Sequence, residues 1–140
     1  MMHKYGIDIS FNAQIGPGLS IPHFGGIVVA AKAVIGKNCL ISHQVTIGAV
    51  LRGEKRGACP RIGDDVYIGP GAKLFGDIKI GNNVAIGANS VVNKDIPDNA
   101  VVVGVPGQVI SLKGTEGIIE NTDFGEKYGN RFSLKNGNEY

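Results

Sequence analysis

The chain has 140 residues, 43% hydrophobic and 19% charged, with a formal net charge of +2. That balance suits one soluble domain of modest size and gives no polybasic surface, so nucleic acid is not an expected partner. Two cysteines are too few for a disulfide framework, no apolar run is long enough to insert in a membrane, and Met1 to Lys4 leads into no signal-peptide core. The expected location is the cytoplasm, with reduced thiols.

In chain order, aliphatic residues recur in steps of six. Ile9, Ile15 and Ile21 form the first run, and Val29, Ile35, Ile41 and Ile47 the second. The longest is Ile62, Ile68, Leu74, Ile80, Ile86 and Val92, mostly followed by Gly. A helix of about 3.6 residues per turn would smear a six-residue stripe around its cylinder. A short strand and a turn fit that period, and three of them close one triangular coil. The predicted fold is all-β: a left-handed parallel β-helix of hexapeptide repeats over residues 1–107, with a C-terminal extension over 108–140. The first residue of each hexad points inward. The residue four later does too and must be compact, as with Ala13, Leu19, Ala33, Cys39, Val45, Val66, Ala72, Ile78, Val84, Ser90 and Ile96. Gly in second place is expected to supply the unusual dihedrals of a corner.

The repeat breaks in three places. Two extra residues lie between Ile21 and Val29, around His23 to Gly26. Residues 48–61, GAVLRGEKRGACPR, leave the prism as an external loop carrying Arg52, Lys55, Arg56 and Arg61. Loops on a rigid scaffold concentrate binding groups, and a basic one suits an anionic, phosphate-bearing ligand. The ladder ends at Gly104-Val105-Pro106-Gly107. Val109 to Asn121 is expected to pack on the last coil as a short helix or strand, with Asn130 to Tyr140 poorly ordered. The long flat faces of so short a prism are expected to pack as a cyclic homotrimer, with any active site in the clefts between neighbours.

His23 and His43 each hold the third place of their hexads, which begin at Ile21 and Ile41 on adjacent coils. Their Cα atoms should lie about one ladder spacing apart, near 5 Å. His changes charge near neutral pH, so one of them suits a general base. Two histidines alone do not make a zinc site, which needs at least three protein ligands, so no metal is expected. His3 is expected at the surface. A base needs an orienting partner, and Asp8, one coil edge away, is the candidate.

These residues carry a resemblance. GIDISFNAQIGPGLSIPH, AVIGKNCLISHQVTIG, PRIGDDVYIGPGAKLFGDIKIGNNVAIGANSVVNKDIP and VVVGVPGQVI make the stretch from Gly6 to Val109 resemble the hexapeptide-repeat acyltransferases, in particular the serine acetyltransferase group. The resemblance implies that His23 is the base, that Asp8 orients it, and that an acceptor hydroxyl attacks the thioester of acetyl-CoA directly. It assigns Ala88 and the pair Asn93-Lys94 to turns that touch the cofactor, with Gly48 and Ala49 near the thioester oxygen. His43 is placed at the site to bind the acceptor or assist catalysis.

Three positions depart from the serine acetyltransferase pattern. Pro22 stands where Asp precedes the base, Cys59 where a second His precedes Pro, and Ser10-Phe11 where His-Pro follows Asp-Ile. All three belong to the region that grips the amino-acid acceptor. Ala58 to Gly63 and Ser42 to Gly48 look like the exopolysaccharide branch of the colanic-acid type, so the favoured acceptor is a sugar hydroxyl in surface polysaccharide synthesis. L-Serine is the alternative. Also weighed are a covalent acetyl-Cys59 route, a metal-dependent hydratase like the γ-type carbonic anhydrases, and a non-catalytic scaffold.

Overall fold

A computed structural model describes residues 5–119. His3, Asn121 and Asn130 to Tyr140 lie outside the described residues. The chain winds into a parallel prism with three flat walls. The first coil comprises β1 (Ile7–Ile9), β2 (Gln14–Ile15) and a bridge at Ser20. The second has β3 (Ile27–Val29), β4 (Val34–Ile35) and β5 (Leu40–Ile41). The third has β6 (Thr46–Gly48), β7 (Arg61–Ile62) and β8 (Tyr67–Ile68), and the fourth β9 (Lys73–Phe75), β10 (Lys79–Ile80) and β11 (Ala85–Ile86). The fifth has β12 (Val91–Val92), a bridge at Ile96 and β13 (Val101–Val103). Strands one coil apart pair in parallel, giving the first wall the order β1-β3-β6-β9-β12. Its register aligns Ile9, Val29, Ile47, Leu74 and Val92. This is the left-handed parallel β-helix expected from the hexads.

The core is the inward column of each wall. Ile41, Ile47, Ile68, Leu74, Ile80 and Ile86 are fully buried, as are the compact residues Ala33, Cys39, Val45, Val66, Ala72, Val84 and Ser90. Ile96 departs from its expected place. It bridges Ile80 and so opens a strand position four residues after Val92 rather than six, and Ala100, also fully buried, fills the compact slot that follows. The first coil is the least covered, with Ile9, Ala13, Ile15, Leu19 and Ile21 only partly buried.

The corners work differently from expectation. Positive φ falls on the fourth residue of the hexad, as at Asn38, Gln44, Asp65, Asn83, Asn89 and Asn99 with φ of 54–63°. Asn and Asp tolerate that region better than other side chains. The second-place glycines serve close approach instead. Asp64 Oδ1 accepts the Lys37 N–H at 2.9 Å, Asn82 Oδ1 the Asp64 N–H at 2.8 Å, and Asp98 Oδ1 the Asn82 N–H at 2.7 Å. Each of these side chains lies over the glycine of the preceding coil.

After the turn at 104–107 the chain reverses. β14 (Gln108–Ser111) pairs antiparallel with β13 and covers that sheet edge. The extension therefore begins as a strand, one of the two forms expected. Thr115 is then buried, with its N–H and hydroxyl both donating to Asn83 Oδ1.

Candidate functional site

The corner after each third place is turned by left-handed residues, Gln44 after His43 and Gly25 and Gly26 after His23, which leaves the third place on the outer edge. His23 and His43 occupy that third place on consecutive coils. Their rings meet edge to face, with centroids 5.8 Å apart and planes at 87°. His23 is exposed and His43 half-buried. The His43 backbone oxygen accepts the Gly71 N–H at 3.0 Å, while its side-chain Nδ1 is buried with no hydrogen-bond partner. Ala88 holds the same third place two coils beyond His43 and is exposed. Asp8 is the middle residue of β1, opposite Val28, with its side chain exposed. No hydrogen bond or ion pair joins Asp8 to His23 in this chain.

The opposite edge of the same wall holds an open cleft of about 710 Å³. Gly48, Ala49, Val50, Leu51 and Arg52 form one side, and Phe75, Gly76 and Asn93 the other. Three residues assigned to the cofactor, Gly48, Ala49 and Asn93, therefore come together here. Lys94 is exposed beside Asn93, its Nζ 3.4 Å from Gln108 Oε1, and does not line the cleft. Ala88 lies on the histidine edge. The candidate residues thus divide between the two edges of the β1-β3-β6-β9-β12 wall. Leu51 and Phe75 escaped sequence reasoning although both left a signal. Leu51 is an apolar residue in a loop with no core slot, and it is 81% exposed. Phe75 follows Leu74 at a place where most hexads have Gly.

The external excursion covers 49–60, because Gly48 ends β6 and Arg61 begins β7. It is an organised loop. Val50 N–H donates to the Ala58 carbonyl and Gly57 N–H to the Val50 carbonyl, both at 2.8 Å, closing its neck. Cys59 is core, 4% exposed, with Sγ 3.5 Å from the Gly57 carbonyl oxygen. Lys55 and Arg61 both pair with Asp77, and these two cations, Lys55 foremost, hold its carboxyl below the usual aspartate value. Among the described residues no group of three His, Cys, Asp or Glu side chains is arranged to hold a metal ion, and no helix is long and apolar enough to cross a membrane.

Residues 59–94 match the family model described as bacterial transferase hexapeptide (six repeats). Together with the prism, that match shows a hexapeptide-repeat β-helix over this part of the chain. The serine acetyltransferase of Mycobacterium tuberculosis is 50% identical over 106 residues, covering 75% of this chain and 45% of that protein. Among solved structures, the Neisseria gonorrhoeae serine acetyltransferase in complex with serine superposes with a TM-score of 0.67 at 45% identity, covering 74% of this chain and 42% of that one. A serine acetyltransferase in complex with CoA gives a TM-score of 0.67 at 38% identity, covering 74% and 42%. The chain spans about half the length of the curated relatives it matches. The expectation of a polysaccharide acceptor draws no support from these relatives, which favour the L-serine alternative.

Proposed function

We propose that the protein is an acetyl-CoA-dependent O-acetyltransferase with L-serine as its leading acceptor. The observation that carries this reading is the division of candidate residues across one wall: the histidine edge on one side, the apolar donor cleft on the other. It is supported by the 50% identity to a serine acetyltransferase. Acetyl-CoA lies with its pantetheine arm along Ala49, Leu51 and Phe75, and Arg52 faces its anionic end. A neighbouring copy completes the site, and the exposed outer residues Val28 and Phe75, each 42% exposed, are suited to packing in a cyclic trimer.

His23 takes the proton of the acceptor hydroxyl as its oxygen attacks the acetyl carbonyl. Backbone N–H groups near Gly48 and Ala49 stabilise the tetrahedral oxyanion. Collapse breaks the C–S bond, and protonated His23 returns the proton to the coenzyme A thiolate. Asp8 orients His23 once substrate is bound. Its carboxylate and the ring are both exposed and free to swing together, and catalytic hydrogen bonds are often long before substrate arrives. His43 steadies the His23 ring edge. Cys59, buried in the core, is not available as an acetyl carrier. Pro22, Cys59 and Ser10-Phe11 favour a second reading, a neutral hydroxyl acceptor such as a sugar, because a charged grip on an amino acid is missing there. Thiol release from acetyl-CoA is to be measured with L-serine and with a panel of nucleotide sugars and oligosaccharides. Turnover with L-serine is expected; turnover with a sugar alone selects the second reading, and none with any hydroxyl acceptor ends both.

A further inference from the structure

Asp77 sits in the turn between β9 and β10, directly after the Phe75–Gly76 side of the cleft. Both its oxygens are in use: Oδ2 lies 2.9 Å from Lys55 Nζ and Oδ1 3.1 Å from Arg61 Nη1. Lys55 is near the tip of the 49–60 loop, and Arg61 is at its foot as the first residue of β7. One carboxylate therefore ties the excursion, through Lys55, to the following coil, and shares its other oxygen with Arg61 at the loop's foot. The backbone neck at Val50, Gly57 and Ala58 fixes the loop's internal shape but not its tilt against Phe75.

The loop carries Leu51 and Arg52, so its tilt sets the width of the cleft. The pairing also sorts the loop's charges. The single Asp77 carboxylate offsets part of the charge on Lys55 and Arg61, while Arg52 has no ion pair among the described residues. We infer that Asp77 is a positioning residue for the donor cleft: by clamping Lys55 and Arg61 it sets the spacing between the Leu51–Arg52 and Phe75–Gly76 sides, and so governs affinity for the acetyl donor. The cleft's ligand rests on the acetyl-CoA reading above; the clamp does not.

Exposed ion pairs contribute little to global stability, and Lys55 is 70% exposed. The loop, however, opens locally at low cost, where such pairs matter most. Charge and position push affinity in opposite directions. Removing the Asp77 charge leaves the cleft more positive, which by itself strengthens binding of an anionic donor. Losing the clamp weakens it. The sign of the change in KM therefore separates the two.

The test uses the full chain, acetyl-CoA and whichever acceptor turns over. Asp77→Asn is expected to raise KM for acetyl-CoA roughly three- to tenfold, with kcat changed by less than about twofold and Tm unmoved. Trypsin should cut the variant at Arg52, Lys55 or Arg56 faster by a similar factor, and Lys55→Met should speed cutting at Arg52 or Arg56 in part. A KM that is unchanged or lower overturns the positioning role. An unchanged tryptic rate overturns the clamp itself. If the wild-type chain turns over no acetyl-CoA, the enzymatic reading fails, and the tryptic rate of Asp77→Asn then decides the clamp by itself.

Discussion

At Gly63 a Cβ would lie 2.3 Å from Asn82 Oδ1 and 2.8 Å from the Gly81 carbonyl oxygen. The side chain could turn away, but the backbone of the next coil could not. Gly63→Ala is therefore expected to cost about 1–3 kcal/mol, as overpacking does, read as a lower urea midpoint; an unchanged midpoint would show that the coils slide apart freely. The glycines were legible in the sequence, but their reason was not. Close approach to Gly63 by Asn82, an Asx residue one coil later, leaves no local mark, whereas the left-handed fourth place does, as a run of Asn, Asp and Gly. The shared edge of His23 and His43 was legible from their place in the hexads, whereas the choice of His23 as base came from the family resemblance. Replacing His23 with Ala is expected to lower turnover about 10²–10⁴-fold, the usual range for a general base, with the fold intact by circular dichroism. Asp8→Asn should give a smaller loss. A His23→Ala enzyme at full rate removes that residue from the mechanism.

The hexads predicted the strands because an inward aliphatic every six residues has few other solutions. The same reasoning failed where a coil changes length. Ile96 matches the pattern in two phases, four residues after Val92 or at the start of a new strand, and only its bridge to Ile80 chooses between them. The loop misled in another way. Its charges suggested a solvated excursion, yet Cys59 and Pro60 at its end already belong to the core. The ion pairs with Asp77 had no sequence signal, since Lys55 and Asp77 meet only when consecutive coils stack. Their pH response follows from the depressed carboxyl. A lowered folded value means that the contribution is present above the free aspartate value of about 3.9 and is lost as pH falls through the lower folded value. The clamp should thus be insensitive to pH across the neutral range. A carbon-13 titration of the Asp77 carboxyl is expected to show its midpoint below that of free aspartate, and a midpoint at or above it would mean the ion pairs do not persist in solution.

Across the whole prism, stability is a sum over neighbouring coils, and the sum is uneven. The coils in the middle bury their inward columns completely. The last wall edge is covered by β14, and the segment after it is stitched to Asn83 through Thr115. The division of candidate residues between two edges could be read from hexad counting for the histidines. The cleft could not, because it depends on where the 49–60 loop comes to rest.

Asp8 and His23 both ride on the first coil, whose inward residues are only partly covered. The proposed chemistry therefore rests on the least covered coil among the described residues, where local opening costs least. On gentle warming, turnover should fade several degrees before the bulk β-sheet signal melts, and hydrogen exchange should be fastest at Ile7 to Ile9 and slow at Ile68 and Ile86. Simultaneous loss of both signals would mean that the prism melts as one block.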